Sequence, residues 1–225
     1  MDIPHQHQTE PATSVPPQEK TTQSPYDYPQ ILRMLEEKGK ELFGSSFHFQ
    51  TQDHPLIIQL TAYFLRDQLT CDQAHISLDK GLLLSGPIGC GKTTLITLMR
   101  YITQPVNKYF IKSCRDISFE FIQDGYEVIH RYSKGKLYEP STRNYCFDDL
   151  GVENNLKYYG NECNIMAEII LSRYDLYISR QLQTHITTNL SASEIEAYYG
   201  NRVRSRMREL FNLIAFPNDA RDKRK

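Results

Sequence analysis

The feature that most constrains this chain is a glycine-rich loop at residues 86–94, which read Gly-Pro-Ile-Gly-Cys-Gly-Lys-Thr-Thr. The loop contains the pattern GxxxxGK[ST]. Just before it, Gly81–Ser85 is a short apolar run typical of a buried parallel strand, and the residues after it continue as an apolar helix pattern. A strand, a glycine loop and a helix in this order are the context that the pattern requires. The sequence therefore predicts a loop that wraps a chain of phosphates.

The residue types in this loop suit a nucleoside triphosphate. Glycines let successive backbone N–H groups point at phosphate oxygens, and the N-terminus of the following helix adds partial positive charge. The lysine of such a loop reaches the β- and γ-phosphates, and the hydroxyl group after it binds Mg²⁺. A chance glycine-rich turn is the alternative, and the flanking strand and helix argue against it. The predicted nucleotide-binding residues are Gly86, Pro87, Ile88, Gly89, Cys90, Gly91, Lys92, Thr93 and Thr94, with Lys92 also catalytic and Thr93 also a metal ligand.

Composition favours one domain of ordinary size with an appendage. The chain has 225 residues, without a membrane-length apolar run or an apolar signal-peptide core. Its five cysteines are odd in number and scattered, which argues against a disulfide framework and a zinc site. Cys90 is interpreted as a small filler of the loop, because no histidine lies close to it in sequence. We therefore expect a cytoplasmic protein with no membrane contact.

Three segments differ in character along the chain. Residues 1–25 are rich in Pro, Gln, Thr and Ser, which predicts a disordered leader. Residues 26–80 predict a helical extension with helices at 29–43 and 54–68, which either packs on the main core or docks a partner. Residues 81–225 alternate strand and helix and form the predicted nucleotide-binding domain.

This alternation predicts an α/β fold, with a parallel five-stranded sheet flanked by helices. Ser191 and Glu194 have the spacing of a capping box, which starts a helix directly after the fourth strand. The candidate strands are 81–85, 108–112, 145–150, 184–189 and 211–216. The candidate helices of this domain are 92–103, 116–132, 162–180, 192–198 and 202–210.

Two carboxylates, Asp148 and Asp149, end the third candidate strand. A solvated strand end is the ordinary explanation of such a pair. Downstream of a phosphate loop, however, a carboxylate at a strand end is needed to hold Mg²⁺. Asp148 is the predicted metal ligand, and Asp149 is the predicted base or orienter of the attacking water.

Two further features have open alternatives. Asn189 ends the fourth strand, where it either orients water against the γ-phosphate or begins the loop that Ser191 caps. The segment 202–208 has arginine at every second residue, while its apolar residues recur at helical spacing. Two guanidinium groups four residues apart on a helix repel each other unless an anion arrives. The segment therefore meets a γ-phosphate, from its own or a neighbouring subunit, or it is a solvated basic helix face.

Together these elements resemble the AAA+ ATPases, and among them the DnaC/IstB-like group of bacterial replicative-helicase loaders and transposition helpers. The resemblance spans about residues 47–221 and is most specific at 187–191, 199–207 and 219–221. It implies that Asn189 is the sensor 1 residue and Arg221 the sensor 2 residue. It also implies that Arg206 acts in trans as an arginine finger, with Arg202 one turn earlier. The implied cofactors are ATP and Mg²⁺.

The resemblance further implies a P-loop NTPase of the AAA+ type that forms homo-oligomers with shared ATP sites on single-stranded DNA. Its N-terminal helices would dock a ring helicase or, in a transposition helper, a transposase. Two departures from the pattern matter. Asp149 stands where loaders commonly carry Glu. Hydrolysis is therefore expected to be slower, or the carboxylate is expected to be shifted by the length of one methylene group. A full C-terminal helical lid is not expected, because the sequence ends four residues after Arg221.

The segment 115–132 lies where initiator relatives carry a helix that faces single-stranded DNA. Its aromatic rings either stack on bases or belong to the core, and the core is the favoured interpretation. These rings are Phe119, Phe121, Tyr126 and Tyr132. Two other classes of function stay open, a small-molecule kinase and a nucleotide-binding switch with negligible turnover. The positions of Asn189 and Arg206 argue against the kinase.

Overall fold

The computed structural model describes residues 23–133, 143–153, 156–158, 161–217 and 219–224, so most of the predicted leader lies outside the described residues. The main strands are β1 (Gly81–Ser85), β2 (Tyr109–Ser113), β3 (Asn144–Leu150), β6 (Thr184–Thr188) and β7 (Phe211–Ala215), while β4 (Leu156–Tyr158) and β5 (Asn161–Cys163) form a separate hairpin. The five main strands pair in parallel in the order β2-β3-β6-β1-β7. The predicted parallel five-stranded sheet is confirmed.

Helices cover this sheet and precede it. They are α1 (Tyr28–Phe43), α2 (His54–Leu65), α3 (Gln68–Gln73), α4 (Lys92–Met99), α5 (Cys114–Asp124), α6 (Glu127–Ser133), α7 (Ile165–Arg180) and α8 (Ala192–Leu210). Ser191 and Glu194 form the predicted capping box at the start of α8. Gly200 then interrupts this helix with φ 83° and ψ 160°, between the two helices predicted there.

The single helix predicted at 116–132 is wrong, since the chain forms α5 and α6 instead. Gly125 ends α5 with φ 61° and ψ −141°, a conformation that is open to glycine but strained for other residues. The break divides the aromatic residues of this segment. Phe121 and Tyr132 are 0% and 5% exposed and belong to the core, whereas Phe119 and Tyr126 are 53% and 48% exposed.

The helix predicted at 54–68 also ends early. Arg66 adopts a left-handed conformation with φ 62°, which ends α2. The side chain of Asp67 then accepts a hydrogen bond from the N–H of Thr70 and caps α3. Capping therefore restarts the chain as a short helix that the apolar periodicity did not predict.

One hydrophobic core joins the N-terminal helices to the sheet. Leu35 of α1 and Leu60 of α2 are fully buried in the same cluster as Leu82 and Leu84 of β1. The alternate residues of the sheet face a second cluster formed with α5, α7 and α8. Both faces of the sheet are thus covered, as a parallel sheet requires.

The strand order determines where the loops meet. The carboxyl ends of parallel strands lie at one edge of a sheet, and β6 lies between β1 and β3. The glycine loop after β1, the acidic pair of β3 and Asn189 after β6 therefore come together at this edge.

Candidate functional site

A cleft of about 730 Å³ opens at the carboxyl edge of the sheet. Its size lies within the range of small-ligand sites. The sequence-predicted residues that line it are Ile88, Gly89, Gly91, Lys92, Thr93, Thr94, Asp149, Asn189 and Arg221. Residues from three loops and from the end of the chain thus meet in one place.

The glycine loop has the backbone geometry that its sequence predicts. Gly89 and Gly91 adopt φ 81° and 102°, in the left-handed region that favours glycine. Gly86 has a different constraint, because a Cβ there would lie 2.7 Å from the Cβ of Phe216. Gly91 caps α4 without a side-chain hydrogen bond, so the first turn of the helix presents its N–H groups to the cleft.

Lys92 is buried at the base of this loop. Its Nζ donates to the carbonyl oxygens of Gly86 at 2.7 Å and Pro87 at 2.9 Å. A phosphate bound in the loop would exchange with these contacts. Cys90 is also fully buried, and burial raises the pKa of its thiol. The thiol is therefore a filler of the loop and not a nucleophile.

The predicted metal ligands, Thr93 and Asp148, touch each other. The Thr93 hydroxyl donates to both carboxylate oxygens of Asp148 at 3.0 Å. Adjacent ligands of an octahedral Mg²⁺ with bonds of 2.0–2.1 Å are about 2.9 Å apart. Two oxygen donors at this separation fit neighbouring positions around Mg²⁺, with phosphate oxygens and water as the remaining ligands.

Thr187 on β6 holds the acidic pair and was not predicted as a site residue. Its hydroxyl donates to Asp148 Oδ1 at 2.6 Å and accepts from the N–H of Asp149 at 2.9 Å. Burial raises the pKa of Asp148, the hydrogen bonds from Thr187 and Thr93 oppose this rise, and the charge of Asp149 adds to it. A bound cation would offset that cost by pairing with the carboxylate.

Asp149 points into the cleft because the strand is irregular there. The register between β3 and β6 shifts between Phe147 and Leu150, and Asp149 adopts φ 56°. In a regular strand, consecutive side chains point to opposite faces of the sheet. The bulge and the left-handed residue instead let Asp148 contact Thr93 while Asp149 lines the cleft.

Arg202 and Arg206 lie on α8 and are not among the described residues that line the cleft. The Arg206 guanidinium lies 4.4 Å from the ring centre of Tyr174 and donates to the Tyr174 hydroxyl at 3.0 Å and to Glu209 at 3.1 Å. Arg202 is exposed. The structure thus separates these two arginines from the cleft of their own chain.

Two segments that border the cleft were missed at the sequence level. The first runs from Phe43 to Asp53 and brings aromatic rings, including Phe47 and Phe49, to the wall of the cleft. The second is the end of the chain, where the N–H of Lys223 donates to the carbonyl of Gly89 at 3.0 Å. The Lys223 ammonium group also pairs with the buried carboxylate of Asp53. Three phenylalanines within seven positions at the end of α1 and just after it, Phe43, Phe47 and Phe49, were the available signal for the first segment.

In this parallel sheet a glycine-rich loop of the phosphate-binding type follows β1, and β6 lies between β1 and β3, the strand that carries the acidic pair. This arrangement defines the class of P-loop proteins.

No model of a protein family matches the sequence, and no curated protein matches it. The fold is similar to the DnaC helicase loader, with a TM-score of 0.52 and 19% identity over 76% of this chain and 94% of that one. DnaI gives a TM-score of 0.52 and 18% identity over 80% and 94% of the two chains. DnaA from Aquifex aeolicus with bound AMPPCP gives 0.50 and 14% over 80% and 51%.

These likenesses show that the chain shares the fold of the DnaC and DnaI structures. The resemblance stated from the sequence motifs is thereby confirmed at the level of the fold. Among the described residues, no helix has the length and apolar character needed to cross a membrane.

Proposed function

We propose that this chain binds ATP with Mg²⁺ in the cleft, hydrolyses the ATP, and loads or remodels a ring helicase on single-stranded DNA during replication. One observation carries the nucleotide assignment. The Thr93–Asp148 contact, the Lys92 ammonium group and the Asp149 carboxylate converge beside a glycine loop that leaves the N–H groups of α4 open to the cleft. This arrangement has the donors that a triphosphate and its metal need.

Each residue of the cleft has a role in this proposal. Lys92 exchanges its carbonyl contacts for the β- and γ-phosphates, and the loop N–H groups hold the phosphate chain. Thr93 and Asp148 hold Mg²⁺, which neutralises negative charge on the phosphates. Asp149 orients the attacking water, and Asn189 and Arg221 contact the γ-phosphate.

Arg206 supplies the remaining positive charge to a neighbouring subunit. Tyr174 and Glu209 hold its guanidinium on the surface of α8, outside the cleft of its own chain. A guanidinium placed there supports action in trans, with Arg202 one turn earlier as a second contact. ATP would then bind between subunits and favour an ordered assembly.

The assignment of partners rests on fold likeness and on two surfaces. The similar structures include a helicase loader, which favours a ring helicase as the protein partner. On α1, Met34 and Leu42 are 50% and 42% exposed, which leaves apolar side chains accessible to a partner. The exposed rings of Phe119 on α5 and Tyr126 in the turn before α6 are the surface proposed to meet single-stranded DNA.

Phosphate release from ATP tests the nucleotide assignment. We expect Mg²⁺-dependent release that increases with single-stranded DNA and falls at least about tenfold in Thr93→Ala, since a metal ligand is lost. Thr97→Ala is the matched control, because Thr97 lies one turn later on α4 and its hydroxyl donates only to the carbonyl of Thr93. Equal rates in the two variants would contradict the assignment. Transfer of the phosphate to a small acceptor instead of water would indicate a kinase.

Capture by the full-length chain tests the protein partner. A ring helicase from the same source should bind the wild type in the presence of ATP and bind Met34→Glu more weakly. Arg33→Glu, at the neighbouring exposed position, should bind it normally. Binding of a transposase in place of the helicase would support the transposition-helper function.

A further inference from the structure

A second cleft, of about 590 Å³, lies at the opposite edge of the sheet from the nucleotide cleft. Its walls come from the amino ends of the strands and from the ends of two helices. Lys108 precedes β2, Asn144 begins β3, Gln183 precedes β6 and Arg180 ends α7. We call the cleft lined by 66, 79, 105–108, 110, 143–144 and 180–183 the basic groove.

Positive charge predominates in the basic groove. Four cations line it, Arg66, Lys108, Arg143 and Arg180, against one carboxylate, Asp79. Lys108, Arg143 and Arg180 are exposed. Across the described ranges, no carboxylate lies within ion-pair distance of any of these three. Within the described residues, these three charges are therefore not neutralised by an ion pair.

A buried cation behind the basic groove adds to its positive electrostatic potential. Arg173 on α7 is fully buried, and the hydrogen-bond acceptors of its guanidinium are all uncharged. It donates to the carbonyls of Arg143 at 3.0 Å and Gln183 at 3.1 Å, two residues of the groove wall. Burial lowers the pKa of Arg173 to about 9, so it keeps its charge at neutral pH. A charge held in a low-dielectric interior acts at longer range than one in water.

An exposed aromatic ring lies among these cations. Phe110 on β2 is 47% exposed, and the Arg143 guanidinium lies 5.0 Å from its ring centre. Val106 beside it is 80% exposed. A basic groove that includes an accessible ring is the combination by which proteins hold phosphates and stack a base. Only an unpaired base offers its face to such a ring.

From this juxtaposition we propose that the basic groove binds single-stranded nucleic acid, with phosphates on Lys108, Arg143 and Arg180 and a base stacked on Phe110. The inference deepens the proposed function, because it gives the chain a nucleic-acid surface remote from the ATP cleft and separate from α5. Binding to the groove needs no ATP. Its failure in a nucleotide-free assay is therefore distinguishable from failure of the ATPase assignment.

Fluorescence anisotropy with the full-length chain and labelled oligothymidine of about 20 nucleotides tests the proposal, since one binding module covers roughly 4–16 nucleotides. Arg180→Ala should weaken binding and reduce the slope of log K against log salt by about 0.7, the value for one phosphate contact on a single strand. Arg33→Ala, an exposed arginine on α1, is the matched control and should change neither quantity.

Phe110→Ala should weaken binding at least about fivefold with the salt slope unchanged, because a stacked base is lost and no charge is. Phe110→Tyr keeps the ring and should restore binding. Three results would overturn the proposal. The first is that Arg180→Ala and Arg33→Ala change binding equally. The second is that the corresponding duplex binds with the same affinity as the single strand and that Phe110→Ala has no effect. The third is that polyglutamate displaces the labelled strand as effectively as unlabelled oligothymidine does.

Discussion

His185 is a neutral histidine that links β6 to the strand before the phosphate loop. Its Nδ1 accepts a hydrogen bond from the N–H of Leu82 at 3.2 Å, and the residue is 1% exposed. The rings of Tyr63, Phe64 and Tyr109 surround it, with centres 5.8, 5.4 and 5.0 Å away. Burial, with a smaller contribution from the charge of Arg173, lowers the pKa of His185 to about 3.

The sign of the pH effect follows from this pKa. An unfolded histidine takes up a proton below about pH 6.5, while the folded one stays neutral until about pH 3. The unfolded state therefore binds more protons in this window, and stability is lost as the pH falls through it. Between pH 7 and pH 5 the loss from this one residue is about 2 kcal/mol.

Urea unfolding at pH 7 and pH 5 measures this loss. His185→Asn places an amide oxygen near the position of Nδ1, so it can still accept from Leu82 but does not titrate. The variant will be less stable than the wild type at pH 7, because the ring is lost from the core. We expect the difference to shrink by about 2 kcal/mol at pH 5. His75→Asn is the matched replacement of an exposed imidazole, at a left-handed position that Asn tolerates. An unchanged difference between wild type and His185→Asn at the two pH values would refute this reasoning.

Two further predictions concern contacts beside the cleft at the carboxyl edge of the sheet. Gly151→Ala should lower the free energy of unfolding in urea by about 2 kcal/mol more than Gly44→Ala does. Both glycines have φ near 105°, but only at Gly151 would a Cβ meet a side chain, that of Leu190, at 2.5 Å. Equal losses would show that the contact is not tight. Lys223→Ala should destabilise the protein by roughly 1–3 kcal/mol, because it leaves the buried carboxylate of Asp53 unpaired. Arg224→Ala, which removes only an exposed pair with Asp222, should change the melting temperature little, and a similar drop in both variants would contradict this expectation.

The sequence predicted the sheet well because most of its main strands are short apolar runs. The exception is β6, Thr-His-Ile-Thr-Thr, which is polar but rich in β-branched residues that favour strands. Every main strand begins and ends within one residue of the predicted position. Helix extents were less predictable, since they depend on single residues such as Gly125 and Arg66 whose backbone conformation ends a helix. Apolar periodicity carries no information about such conformations.

The residues of the candidate site that belong to a short sequence motif were predicted. The spacing of the glycine loop and the position of the acidic pair after a strand are recognisable in the sequence, and both features line or adjoin the cleft. Thr187 and Lys223 could not be found in this way. Their contacts with Asp148 and Asp53 join residues 39 and 170 positions apart, which only the folded chain brings together.

We propose that the ATP site is shared between subunits, with Arg206 completing the cleft of a neighbour. Mixing two inactive variants measures whether the site is shared in this way. Arg206→Ala retains an intact phosphate loop, and Lys92→Ala retains the arginine, so each variant alone should hydrolyse ATP poorly. When the two are mixed, some interfaces pair an intact loop with an intact arginine, and phosphate release should recover in part. If both variants are folded and no mixing ratio restores activity, the shared-site account is contradicted.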